Sequence, residues 1–161
     1  MRSLFGPTPT YVPQRIVSGG QTGVDRAALD VAIHQGIEHG GWCPAGRLAE
    51  DGTIPSCYSL RETRSREYPV RTEQNVADSD ATLILYEGRL KGGTLLTQRI
   101  CRRLKRPHFT VAMDRQSVDP VRVWLTQQQP ETLNIAGPRE STCDGIHARC
   151  KEYLLGAFSF D

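Results

Sequence analysis

The run Ala81-Thr82-Leu83-Ile84-Leu85-Tyr86, with Asp80 before it and Gly88 soon after, decides the fold class. It is apolar without alternation. A strand with one wet face alternates apolar and polar residues, so an unbroken run fits a strand covered on both faces of a parallel sheet. Working outward, residues 94–104 read as a helix with Leu96, Ile100 and Leu104 inward and Arg99, Arg102 and Arg103 outward. Pro107 closes it, and residues 109–112 form the next strand. Val118, Val121 and Leu125 mark a further helix, residues 132–136 a last strand, and Ile146, Cys150, Tyr153, Leu154 and Phe158 the stripe of a final helix. On the N-terminal side, residues 15–18 are a short apolar strand, and Val24, Ala27, Ala28, Val31 and Ala32 recur at helical spacing. Thr22 with Asp25 fits a capping box and Gly36 a helix stop; residues 37–42 suggest a short strand and 70–77 a short helix. Strand then helix, repeated, predicts an α/β fold with an open, mainly parallel sheet of about five strands.

The chain has 161 residues, the size of one domain. Residues 1–14 read as an extended leader and 15–161 as a single ligand-binding domain. The leader contains Pro7, Pro9 and Pro13 and lacks the apolar centre of a signal peptide. The five cysteines are odd in number and show no CxxC spacing. A reduced, cytoplasmic chain follows, with no disulfide framework and no structural metal. Cys143 and Cys150 read as core filling. Net charge is +2, which argues against a nucleic-acid arm. No apolar run approaches the roughly 18–20 residues of a membrane span.

Glycine placement says more than bulk composition. Three strands run into glycine turns that open helices: Ser18-Gly19-Gly20-Gln21-Thr22-Gly23, Gly88-Arg89-Leu90-Lys91-Gly92-Gly93-Thr94 and Ala136-Gly137-Pro138-Arg139-Glu140-Ser141. In a parallel sheet all three lie along one edge, where ligands bind. Helix N-termini carry unpaired N–H groups, and glycine lets the backbone close on an anion. The turns therefore predict a site for a phosphorylated or otherwise anionic small molecule. Its candidate residues are Gly19, Gly20, Gln21, Thr22, Gly23, Lys91, Gly92, Gly93, Thr94, Gly137, Arg139 and Ser141. Arg139 offers a guanidinium for bidentate contact, with Lys91 and Arg89 as further charge. GxxxxGK[ST] and GxGxxG are both absent, which disfavours a P-loop kinase and a standard NAD dehydrogenase.

The stretch 43–68 is long for a connection in a compact domain, and such loops are often functional. Its charges Arg47, Glu50 and Asp51 suggest a polar lid over the strand-end edge, with Arg47 against the organic part of a ligand. Asp25, Glu50 and Asp51 are the carboxylates available for acid–base chemistry.

Five blocks occur in order: SGGQTGVDRAALD at 18–30, GGWCPAGRLAEDGTIP at 40–55, RTEQNVADSDATLIL at 71–85, GGTLLT at 92–97 and NIAGPRES at 134–141. Together they resemble the proposed molybdenum cofactor carrier proteins, a circularly permuted, YpsA-like branch of the SLOG superfamily. The resemblance spans residues 15–158. It implies a Rossmann-like fold with helices on both faces, molybdenum cofactor (molybdopterin) as carried ligand, a molybdoenzyme or cofactor-synthesis protein as partner, and a homo-oligomer. Hydrolases in the same superfamily carry PGGxGTxxE. Here the residue three after Thr94 is Thr97, so that glutamate is missing. A binding or carrier protein is the leading expectation. A hydrolase or transferase on a nucleotide or NAD-derived compound is the alternative, and a nucleotide sensor a third.

Overall fold

The structure, a computed structural model, describes residues 10–159. Along the chain it runs β1 (Arg15–Val17), α1 (Val24–Gln35), β2 (Glu38–Gly40), β3 (Trp42–Cys43), β4 (Leu48–Ala49), β5 (Gly52–Thr53), β6 (Arg61–Glu62), α2 (Tyr68–Ala77), β7 (Ala81–Tyr86), α3 (Gly92–Arg103), β8 (His108–Ala112), α4 (Asp119–Gln128), β9 (Thr132–Ala136) and α5 (Ile146–Ala157). Five strands form one sheet in the order β2-β1-β9-β7-β8, with every pairing parallel. β3 pairs with β6 and β4 with β5 in two small sheets. The α/β class and the five-stranded parallel sheet are those read from the sequence.

The apolar run of β7 explains its place. Leu83, Ile84 and Leu85 are fully buried, and burying side chains of that size is worth roughly 1.5–3 kcal/mol each. Helices cover both faces of the sheet. α1, α4 and α5 share the main apolar cluster with it through Ala27, Ala28, Leu125, Cys150 and Leu154. α2 and α3 meet in a second cluster around Val76, Ile100 and Cys101. Alanines at 27, 28 and 32 keep the α1 surface low, which suits close packing on Ile146, Cys150 and Leu154 of α5.

Local differences from the sequence reading have physical reasons. The 37–42 strand breaks at Gly41, whose φ is +124°. A Cβ there would stand 2.2 Å from the Ser18 carbonyl oxygen. α3 starts two residues before Thr94, at Gly92. The capping box is not formed: Gly23 is the N-cap of α1 and no side chain caps it. Gly36 does end α1 in the left-handed conformation. Most of the leader, residues 1–9, lies outside the described residues. Further on, Tyr11 packs on the main cluster and donates its hydroxyl to the Pro130 carbonyl.

Candidate functional site

Because the sheet is parallel, the segments after β1, β9 and β7 emerge side by side at one edge. A cleft of about 720 Å³ opens there. Gly19, Gln21 and Asp25 line it from the first turn, Gly88, Arg89 and Lys91 to Thr94 from the second, and Gly137, Arg139 and Ser141 from the third. Of the candidates, Gln21, Gly19, Lys91, Gly92, Gly93, Thr94, Gly137, Arg139, Ser141 and Asp25 share this cleft. Gly20, Thr22, Gly23, Arg47, Glu50 and Asp51 do not line it.

The first turn is closed on itself. Gln21 N–H donates to the Asp25 carboxylate and Gly20 N–H reaches the Ser18 hydroxyl. The Thr22 and Glu50 N–H groups both donate to Gln21 Oε1. The Arg71 and Arg26 guanidinium groups take up the carbonyls of Gly19 and Gly20. Much of the turn's hydrogen-bonding capacity is thus spent within the protein. Burial pushes the Asp25 carboxyl up, against the opposing pull of Arg71 and the Gln21 and Gly19 amides.

The first and third turns are fastened together. Val24 N–H donates to the Pro138 carbonyl and Glu140 N–H to the Thr22 hydroxyl. Glu50 receives hydrogen bonds from the Thr22 and Ser141 hydroxyls and from Ser141 N–H. Its carboxyl is held below the usual range because these donors together outweigh burial. Asp51 forms a two-pronged pair with Arg26, at 2.5 and 2.7 Å, which lowers its carboxyl. Both carboxylates are therefore structural clasps in this geometry.

The second turn is open. α3 has no side-chain N-cap, and its first N–H groups meet no acceptor among the described residues. A Cβ at Gly88, Gly92 or Gly93 would meet nothing within 4 Å. Arg89 and Lys91 flank the turn. Thr97 donates to the Gly93 carbonyl within its own helix.

The loop 43–68 does not form the expected lid. Cys43, Ala49, Ile54 and Tyr58 pack with Leu29 of α1 into a small core. Arg47 turns its guanidinium onto the carbonyls of Ile54, Pro55 and Tyr58. Cys150 is buried core, but Cys143 is only half-buried and lines the cleft, where its thiol donates to Glu87. Glu87 is gripped by Arg149, which holds its carboxyl below the usual range.

Among the cleft residues missing from the sequence reading, one group lies on α2: Tyr68, Arg71, Thr72 and Asn75. Their spacing is itself a helical stripe, so a polar face was legible. The sequence does not say that this face meets the turns. The guanidinium carbons of Arg71 and Arg139 lie 5.1 and 5.4 Å from the Tyr68 ring centroid. Among the described residues there is no group of three or more His, Cys, Asp or Glu placed to hold a metal ion.

The sheet order, the strand-end cleft and the glycine turns define a Rossmann-like binding domain. Residues 16–158 match the model of the circularly permutated YpsA SLOG family, and the chain belongs to that family. It is similar to the crystal structure, at 1.45 Å resolution, of a "Putative molybdenum carrier protein" from Syntrophus aciditrophicus SB. The two share 41% identity with a TM-score of 0.89, over 94% of this chain and 98% of that one. Comparison with curated proteins returned no match. No helix among the described residues is long and apolar enough to cross a membrane.

Proposed function

We propose that the protein binds and carries a phosphorylated small molecule in the strand-end cleft, a molybdenum cofactor or a related pterin phosphate. The observation that carries this reading is the second turn. Gly92, Gly93 and Thr94 open α3 with free N–H groups, and the glycines present no side chain to block approach. A helix N-terminus in this state attracts an anion through its N–H groups and its dipole. Arg89, Lys91, Arg71 and Arg139 line the same cleft, against Asp25 and Glu87. Glu87 is already paired with Arg149, so the cleft favours anions. The similarity to a molybdenum carrier supports the choice of cargo.

Carriage requires no proton transfer, which agrees with Thr97 at the position where related hydrolases hold a glutamate. Delivery would need a cofactor-synthesis enzyme as donor and a molybdoenzyme as acceptor. We place the protein in the cytoplasm as a homo-oligomer. The hydrolase or transferase reading rests on Asp25, the buried cleft carboxyl whose raised proton affinity suits a general acid.

Mass spectrometry of the small molecule that co-purifies under anaerobic conditions tests the proposal. A pterin phosphate is the expected result. Turnover of nucleoside monophosphates, NAD or ADP-ribose by the purified chain, lost in Asp25→Asn, would replace the carrier reading with the enzymatic one.

A further inference from the structure

We infer that the cleft holds a second anion subsite, built on Arg71 with Tyr68 and Arg139, so that the ligand is an elongated small molecule with an oxyanion group at each end. This rests on the proposed phosphate site at the second turn and adds a separate position to it.

Arg71 is 8% exposed yet lines the cleft. Its Nη1 donates to the Gly19 carbonyl at 2.9 Å and its Nε to the Thr72 hydroxyl at 3.2 Å. Both acceptors are neutral. Nη2 has no hydrogen-bond partner among the described residues, and it is not one of the fully enclosed orphan atoms. No carboxylate forms an ion pair with Arg71 among the described residues. A buried guanidinium without a counter-ion is costly, and proteins keep buried charges paired. Asp25 is the carboxyl that feels this charge, but burial pushes Asp25 toward its neutral form. Arg139 brings a second cation to the same Tyr68 ring. Its contact with Glu50 is long, at 3.9 Å, and Glu50 is already engaged by two hydroxyls. Two guanidinium groups at one ring raise the local positive potential, which favours an anion beside them.

The two subsites are distinct positions. Arg71 is fixed to Gly19 at the end of β1, while the open turn follows β7. β9 lies between those strands, so two inter-strand spacings, about 10 Å, separate the positions. One phosphate cannot occupy both. An oxyanion suits the free Nη2 of Arg71, and Tyr68, Pro69 and Leu96 give the cleft a partly apolar wall.

The experiment compares inorganic phosphate, a hexose 6-phosphate and a hexose 1,6-bisphosphate by titration calorimetry at low salt. The bisphosphate should bind at least about tenfold more tightly than either single-phosphate probe, the increment of about one charge-assisted contact. Arg71→Gln should abolish that advantage. Arg71→Lys, which keeps the charge, should retain part of the advantage, and Arg139→Gln should reduce it. The two latter variants decide the matter if Arg71→Gln fails to fold. Phosphate binding with no bisphosphate advantage in the wild type, or an advantage that survives in folded Arg71→Gln, overturns the second subsite alone. Binding of none of the probes overturns both the subsite and the proposed function.

Discussion

The turns after β1 and β7 look alike in sequence but differ in what surrounds their glycines. Both are glycine-rich, and each opens a helix of 12 residues. In the first, the missing Cβ makes room for the protein. At Gly23 it would stand 2.3 Å from the Pro138 carbonyl oxygen, and at Gly19 2.7 Å from the Arg71 guanidinium. In the second, the missing Cβ of Gly88, Gly92 or Gly93 faces empty space. Glycine count therefore says little about binding; what each missing side chain would have touched says much more. The first turn is a joint between three segments, and the second, open to the cleft, is the proposed anion cradle.

Substitution should separate the two most sharply at Gly23. Its φ of +79° disfavours any side chain, and the carbonyl contact cannot yield. Gly23→Ala should lose about 2–4 kcal/mol in urea unfolding. Next comes the clasp on the joint: Glu50→Ala frees the Thr22 and Ser141 hydroxyls and should cost about 1–3 kcal/mol. It should leave phosphate affinity at the second turn within about twofold. If phosphate binding falls tenfold instead, joint and cradle are not independent.

Gly93→Ala should show the reverse pattern. Alanine is the better helix former, so stability should hold or rise by up to about 1 kcal/mol. The added methyl enters the cleft, and phosphate affinity should drop about tenfold by calorimetry. An unchanged affinity would remove the cradle. The smallest effect is expected in acid. Arg149 holds the Glu87 carboxyl below its ordinary 4.5. A depressed folded-state value means that this contribution is complete above about pH 4.5 and fades as pH falls through the lowered value. The stability gap between the wild type and Glu87→Gln should therefore close on acidification, as read by urea midpoints at successive pH values.

Much of the architecture was legible because it depends on local pattern. β7 and β9 have the boundaries that their apolar runs suggest, and Gly36 ends α1. The joint was not legible in this way. Thr22 and Asp25 have the spacing of a cap, yet Thr22 bonds across to Glu50 and Glu140. Contacts 28 and 118 positions away in sequence overrode a local preference. Arg71 escaped notice for a related reason. A lone arginine on a short helix reads as solvated until the fold sets it over Gly19. Arg47, by contrast, has the chemistry of a ligand contact but serves the carbonyls of its own loop.

The central position of β9 bears on how the protein is made. The strand between β1 and β7 starts at Thr132, so on a ribosome more than four-fifths of the chain is synthesised before the sheet can close. Until then β1 and β7 have no partner to join them, and the cleft that straddles them has no floor. Long-range pairing of this kind slows folding. It also makes the cleft an all-or-none feature: a nascent or truncated chain that ends before β9 cannot form half of it.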